Sequence, residues 1–442
     1  MTQIRRRKTL QLSAASAVAV GTGGLAGILA SGRAPAYAQT QTMHWLRWSD
    51  FVPASDQLLK SEIVKLCEKD LGMKLTVETI NANDIQARIT AAIQSGTGPD
   101  IFMTVNNWPQ LYADSCVDVS DVVDDLGKAQ GGYYDICKVI GTVGGKWIGV
   151  PWCTGGGLVA YRKSWLAEAG TQEFPKTWDE YRAVGKKLKA SGRPYGQTAG
   201  HTFGDAPGWW YPYLWSWGGK EVEVDGKTVV LNTKETIESV KFAVALWKET
   251  MDEGGLAWDD TSNNRAFLSG SISATNNGAS IYLEAKKKPG SYLTEKGTPM
   301  KDDILHAGIP AGAGGQFNLP GPQTHLVMKY SKNQDAAKKF LHWASSKEIF
   351  DKWFVSQQGY TCGPTKMWED HPVWKVDPVL TPFKVLPVTG RLLGYAGKPN
   401  QKAAEVQTKY IIVDMYAKAI QGMDAAESVK TAHAELVTIY GA

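Results

Sequence analysis

Apolar and polar positions alternate along Met43-His44-Trp45-Leu46-Arg47-Trp48, the period of a strand, and then recur at helical spacing over 55–70 until Gly72. Glycine just past the last periodic residue is the usual helix stop. A second strand is predicted over 74–80, a second helix over 84–94 closed by Gly96, and a buried strand over 101–105. The order strand, helix, strand, helix, strand predicts an α/β fold with a mainly parallel sheet covered by helices. In open sheets of that kind ligands bind beyond the carboxyl ends of the strands. Those ends carry Trp48-Ser49-Asp50 and Asn106-Asn107-Trp108.

Two short extended runs follow at 147–150 and 158–161, separated by Gly155-Gly156-Gly157. The glycines concentrate backbone freedom, which fits either a hairpin loop or a crossing between two lobes that pivot on each other. Beyond them, Thr177 with Glu180 three residues on forms a capping box, so a helix is predicted through about Lys189. Helical spacing recurs over 236–251 and 263–268, and Ile272-Ser273-Ala274-Thr275-Asn276-Asn277-Gly278 reads as a strand with a polar end. Extended runs at 304–309 and 325–328 flank a glycine-proline loop. Helices are predicted over 336–345, 347–355, 404–420 and 425–440, with a turn over 359–364.

The run Gly144-Gly145-Lys146-Trp147-Ile148-Gly149-Val150-Pro151, the glycine turn, Leu158-Val159-Ala160-Tyr161-Arg162-Lys163 and Pro175-Lys176-Thr177-Trp178-Asp179-Glu180 resemble extracellular solute-binding proteins of sugar-type ABC importers, the maltose-binding-protein class. Shorter matches occur at Gly96-Thr97-Gly98-Pro99-Asp100-Ile101, Ala266-Phe267-Leu268-Ser269-Gly270 and Gly422-Met423-Asp424-Ala425-Ala426-Glu427-Ser428-Val429. The resemblance implies a two-lobed fold, each lobe a mainly parallel sheet covered by helices. It places 43–150 with about 303–330 in the first lobe, 155–302 with about 331–442 in the second, and a hinge near 150–157. It also implies a membrane permease as partner and a bound small solute.

A chain of 442 residues exceeds what one core usually supports, which agrees with two lobes. The formal charge of +4 overstates the mature balance, because Arg5, Arg6, Arg7, Lys8 and Arg33 lie in a segment that reads as an export signal over 1–38. Arg6-Arg7-Lys8-Thr9-Leu10-Gln11 resembles a twin-arginine motif, with Thr9 where an aromatic residue is preferred, and Ala36-Tyr37-Ala38 fits a cleavage site. Without those five, 43 basic residues face 44 acidic ones, which offers no broad footprint for nucleic acid or anionic membrane. The mature chain is expected in the periplasm, as a monomer. Cys67 falls on the apolar face of a helix and reads as a small hydrophobe. Cys116, Cys137, Cys153 and Cys362 allow three pairings, of which Cys153 with Cys362 is the one to examine.

The chain has 17 tryptophans and 17 tyrosines. Aromatic faces stack on the C–H faces of sugar rings while amides and carboxylates bond the hydroxyls, so these residues suit a pocket for a neutral polyol. Trp165, Trp178, Trp247 and Trp343 lie within helix patterns and read as packing. The expected ligand contacts are Trp48, Asp50, Asn106, Asn107, Trp108, Trp152, Trp209, Trp210, Asn276, Asn277, Gln323 and Tyr395, each at a strand end, turn or loop or in a segment the resemblance brings near the cleft. Asp50 equally suits a helix cap, and the asparagines equally suit turns. No zinc spacing, phosphate loop or nucleophile elbow is present, so neither cofactor nor metal nor catalysis is expected. The adjacent pairs Asp124-Asp125 and Asp259-Asp260 read as solvated or capping. Two other functions fit the same composition: a binder of a cationic or other polar solute, through aromatic rings and Asp50, and an exported carbohydrate-active enzyme.

Overall fold

The computed structural model describes residues 41–441, so the export signal expected over 1–38 lies outside them. In chain order the elements that matter here begin with strand β1 (Gln41–Trp48) and helix α1, α-helical at Pro53–Leu58 and Val64–Leu71 with a π segment at Leu59–Ile63 between. Strand β2 (Met73–Ile80), helix α2 (Ile85–Ser95), strand β3 (Ile101–Val105) and helices α3 (Ser120–Ala129) and α4 (Asp135–Gly141) follow. Gly72 and Gly96 close α1 and α2 at φ 68° and 67° with open space around them, so each glycine serves the left-handed cap itself.

Strands β4 (Val150–Gly155) and β5 (Leu158–Arg162) lead to helices α5 (Trp178–Ala190), α6 (Asp205–Ser216), α7 (Lys234–Thr250) and α8 (Ser262–Leu268). Strands β6 (Ala274–Asn277), β7 (Ile304–Ala307) and β8 (Gly321–Val327) precede helices α9 (Gln334–Ala344), α10 (Lys347–Ser356), α11 (Ile411–Ile420) and α12 (Ala425–Tyr440). The Thr177 hydroxyl and the Glu180 carboxylate satisfy each other's backbone N–H at the start of α5, the capping box read from the sequence.

Five strands form one sheet in the order β2-β1-β3-β8-β4, and three form another in the order β6-β5-β7. The α/β class and the two helix-covered lobes agree with the sequence reading. The strand directions do not: β1 and β3 are parallel, but β8 runs antiparallel to both β3 and β4, and β5 runs antiparallel to both β6 and β7. The sequence also places 303–330 with the first sheet and 331–442 with the second, whereas the structure divides both segments. Strand β7 pairs with β5 in the three-stranded sheet and β8 returns to the five-stranded one. Helices α9 and α10 pack with β8, α3 and α1, while α11 and α12 pack with α6 and α7. An alternating run shows that a strand has a buried face but not which sheet it joins.

The five-stranded sheet is covered on both faces. Trp45 points to a core with Phe340, Phe350 and Trp353 from α9 and α10, and Leu46 points to the opposite core with Ile85 and Ile89 from α2. Trp152, expected at the ligand, belongs to the first of these cores: it is 2% exposed, with ring centroids 4.8 Å from Phe350 and 5.0 Å from Trp353. Trp209 and Trp210 are core residues as well, because 205–216 is helical rather than a loop. Trp209 meets Trp178 edge-on at 5.5 Å, and Trp210 stacks on Tyr416 at 4.6 Å while donating its Nε1–H to the Thr198 carbonyl at 3.1 Å. A helix apolar on every side has no polar face, so its period is invisible in the sequence.

All five cysteines are buried and unpaired. Cys362 does lie on the backbone bridge to Thr154, beside Cys153, but its thiol points to the Phe383 carbonyl at 3.3 Å. No helix among the described residues is long and apolar enough to cross a membrane.

A buried carboxyl ties the loop around 394 to the second lobe. Glu221 is fully buried, accepts the Gly394 N–H at 2.8 Å, and donates its own backbone N–H to the Tyr395 carbonyl at 2.8 Å. Burial pushes its carboxyl up to about 8.

Two predictions follow from this packing. Trp209→Ala should lose about 3 to 5 kcal/mol of stability, as a large core truncation does, while the folded fraction binds solute as the parent does; thermal melts and calorimetric titration read the two separately. The second concerns pH. The folded protein holds a proton on Glu221 up to about pH 8, while the unfolded chain releases it from its ordinary value, so this group's contribution is lost as pH rises between the two. The unfolding free energy across that window, read from denaturant titrations, should fall for the parent relative to Glu221→Gln by up to about 1.4 kcal/mol per pH unit; parallel curves would contradict it.

Candidate functional site

Between the two sheets lies a cavity of about 770 Å³, counting its mouth open to solvent. The five-stranded sheet contributes Trp48 at the end of β1, Asn106 just past β3 and Gln323 on β8, which sits in register with Val105 and Cys153. The three-stranded sheet contributes Asn276 and Asn277 at the end of β6, opposite Val159 and Leu158. Thus Trp48, Asn106, Asn276, Asn277 and Gln323 are brought together by the fold although they are spread over some 275 positions of sequence.

The crossing between the sheets forms the floor. Gly155, Gly156 and Gly157 line the cavity, and a Cβ on Gly157 would stand 2.6 Å from Asn276 Nδ2. Only glycine lets the backbone pass that close to the asparagine. Asn276 is held from three directions: its backbone N–H donates to Gln197 Oε1 at 3.1 Å, its Nδ2 donates to the Gly208 carbonyl at 3.2 Å, and β6 holds its main chain in the sheet. Its Oδ1 is buried without a partner, as is Gln323 Oε1. Asn277 Nδ2 donates to Asn264 Oδ1, whose amide donates in turn to Ser280 Oγ at 2.9 Å. Asn106 takes a left-handed backbone, φ 51°, which asparagine tolerates better than most residues. Backbone outliers of this kind cluster at ligand sites.

Three aromatic residues that sequence reasoning missed complete the wall: Phe51, Phe203 and Tyr360. Phe203 sits 5.2 Å from Trp48 and 6.5 Å from both Phe51 and Trp108. Phe51 and Phe203 are single aromatics in irregular segments, with no periodicity to mark them. Two carboxylates were missed as well. Asp260 is 8% exposed and its Oδ1 accepts the backbone N–H of Asp205 at 2.8 Å, anchoring the start of α6. The pair Asp259-Asp260 therefore splits: Asp259 is exposed and bonds Thr261 and Ser262, while Asp260 turns inward to the cavity. Burial, then the charge of Asp260, pushes the Asp205 carboxyl up; burial pushes Asp260 up too.

The remaining expected contacts lie off the cavity wall. Asp50 is a structural carboxyl: it accepts the Val52 N–H at 2.8 Å and the Gln357 amide at 2.9 Å and faces Arg47 at 3.3 Å, fixing the turn after β1. Asn107 is 1% exposed with both side-chain polar atoms buried and unpartnered, on the far side of the turn that presents Asn106. Trp108 packs behind Phe203, in the core that holds Phe102 and Leu326. Tyr395 is covered by the Arg391 guanidinium at 3.9 Å and faces Trp215 rather than the cavity. With Trp152, Trp209 and Trp210 these seven are placed by turn geometry or core packing.

Residues 53–349 match the sequence model of the bacterial extracellular solute-binding proteins. The diacetylchitobiose binding protein DasA of Streptomyces coelicolor is 26% identical over 317 residues, covering 65% of this chain and 66% of that protein. A probable ABC transporter-binding protein of Deinococcus radiodurans is 25% identical over 291 residues, 63% of this chain and 66% of its own length. The chain thus spans just under two thirds of the length of these relatives. Among solved structures, maltose-bound MalE3 of T. maritima superposes with a TM-score of 0.74 at 20% identity, covering 90% of this chain and 99% of that one. The GacH receptor of Streptomyces glaucescens, solved with acarbose, gives 0.75 at 20% identity over 91% and 99%. At such identities the likeness is one of fold. The family match, by contrast, runs from the first helix through the crossing between the sheets to the start of α10, well over half of the sequence, and the chain belongs to the bacterial extracellular solute-binding protein family.

Proposed function

We propose that this protein is the substrate receptor of an ABC importer, binding a small carbohydrate in the cleft and presenting it to the membrane permease. The observation that carries the reading is the division of the cavity wall: Trp48, Asn106 and Gln323 come from the lobe of the five-stranded sheet, and Asn276, Asn277 and Asp260 from the lobe of the three-stranded one. A solute held by both walls gains contacts when they approach, so it shifts the equilibrium toward the closed form. The closed form is what a permease can distinguish from the empty receptor. DasA, a diacetylchitobiose binder, and the maltose-bound and acarbose-bound structures supply the analogy for a sugar.

The wall has the two ingredients a carbohydrate needs. Rings of Trp48, Phe51 and Tyr360 offer apolar faces to C–H surfaces, and the unpartnered oxygens of Asn276 and Gln323 accept from hydroxyls. On this reading the site binds and releases the solute unchanged. The family is extracellular, and we place this chain in the periplasm after removal of the leader through Ala38, acting as a monomer.

Calorimetric titration against a panel of mono- and disaccharides and polyols should give saturable binding to at least one. Trp48→Ala should weaken it by about one to two decades, the equivalent of about 1 to 3 kcal/mol of lost ring burial. Failure of every sugar to bind or to raise the melting temperature would overturn the carbohydrate reading. Release of product from an oligosaccharide would replace it with an enzyme.

A further inference from the structure

The wall that faces the solute carries two carboxylates and no basic side chain among the described residues. Asp205 and Asp260 both line the cavity, and the Oδ2 of each is buried without a hydrogen-bond partner. Asp260 is more than nine-tenths buried, and its other oxygen is already committed to the Asp205 N–H. Asn276 Oδ1 and Gln323 Oε1 add two more buried, unpartnered oxygens. Among the described residues no lysine, arginine or histidine lines the cavity. The basic residues nearest the pair along the chain are engaged elsewhere: His201 with Asp414 and Arg265 with Asp259 and Ser262. Rings of Trp48, Phe51, Phe203 and Tyr360 close the remaining sides.

We propose that the solute carries an ammonium group: the cleft takes an amine-bearing sugar or polyol, with the charged nitrogen seated between Asp205 and Asp260. The inference rests on the carbohydrate reading above and adds to it the charge of the ligand. Hydroxyls can satisfy a single carboxylate, but with a neutral solute the repulsion between the two is relieved only when one of them keeps a proton. An ammonium does both, since it donates up to three hydrogen bonds and brings the missing charge. The aromatic rings strengthen the preference, because their negative faces attract cations and accept C–H surfaces equally well. The shifts of the two carboxyls agree with this arrangement: burial raises both, and the charge of Asp260 raises Asp205 further, while N–H groups of 203–205 and the Thr202 hydroxyl partly offset the burial of Asp260. Tyr360, whose phenol is held neutral by burial and by the charges of Asp50, Asp205 and Asp260, supplies no compensating cation.

The experiment is calorimetric titration of the full mature chain with matched probes, at a pH where the amine is charged: glucosamine against glucose and N-acetylglucosamine, and the glucosamine disaccharide against diacetylchitobiose. The expected result is binding of at least one amine probe ten-fold or more tighter than its neutral counterparts, with the ratio falling toward unity in Asp205→Asn and Asp260→Asn. Asparagine at 260 can still accept the Asp205 N–H, so α6 keeps its anchor, and Asp205→Asn leaves that bond untouched. Equal or tighter binding of the neutral probes overturns the proposal and leaves the carbohydrate reading standing. Amine selectivity that persists unchanged in both variants overturns the assignment to this pair. Binding of choline or putrescine with no sugar bound, or no binding by any sugar probe, overturns the carbohydrate reading and this proposal with it.

Discussion

The structure depends on one tight passage. Between β4, which closes the five-stranded sheet, and β5, at the centre of the three-stranded one, the chain has only the glycines around 155–157 in which to change sheets. It makes that change against the side chain of Asn276, at a distance that leaves no room for a Cβ at Gly157. The same contact therefore joins the two lobes, floors the cavity and fixes the amide whose oxygen is left for a solute. The second passage, between β7 and β8, comes down beside it, since β8 pairs with β4. A third passage follows between α10 and α11, and several passages side by side suit a hinge better than a loose tether.

Around that hinge the aromatic residues are divided by task. Most of the large rings stabilise the lobes: Trp45, Trp152 and Trp353 under the first sheet, Trp178, Trp209, Trp210, Trp215 and Trp247 in the second. Few face the cavity, and of the tryptophans only Trp48 lines it. The abundance of tryptophan is thus chiefly a property of the cores. Core rings gain from edge-to-face contacts and full burial, so the second lobe is built as a continuous aromatic cluster in which α6 is surrounded on all sides.

What could be read from the sequence follows from which physical signals are local. The caps at Gly72, Gly96 and Thr177 are local devices, and the helices they bound are where the pattern puts them. The ends of β1, β3 and β6 were legible too, and Trp48, Asn106, Asn276 and Asn277 at those ends line the cavity, whereas Gln323 lies within β8, two residues ahead of the run read as a strand. Sheet membership was not, because β7 alternates equally well for either sheet and pairing is settled over more than a hundred residues. The tryptophans of α6 misled for a related reason: a helix buried all round carries no amphipathic period. Asp260 was hidden by its neighbour. Adjacent carboxylates look alike in a sequence, and only the fold turns one out to solvent and the other to the start of α6.

Phe203 gives the cleft a latch. It stands just ahead of α6, whose start is anchored by Asp260 in the second lobe, yet its ring is seated among Trp48, Phe51 and Trp108 of the first. Parting the lobes withdraws that ring into water, at a cost of about 1.5 to 3 kcal/mol for a large apolar side chain. Phe203 thus belongs to one lobe by its backbone and to the other by its ring, so the two walls of the cleft share a side chain and any movement that separates them has to uncover it first.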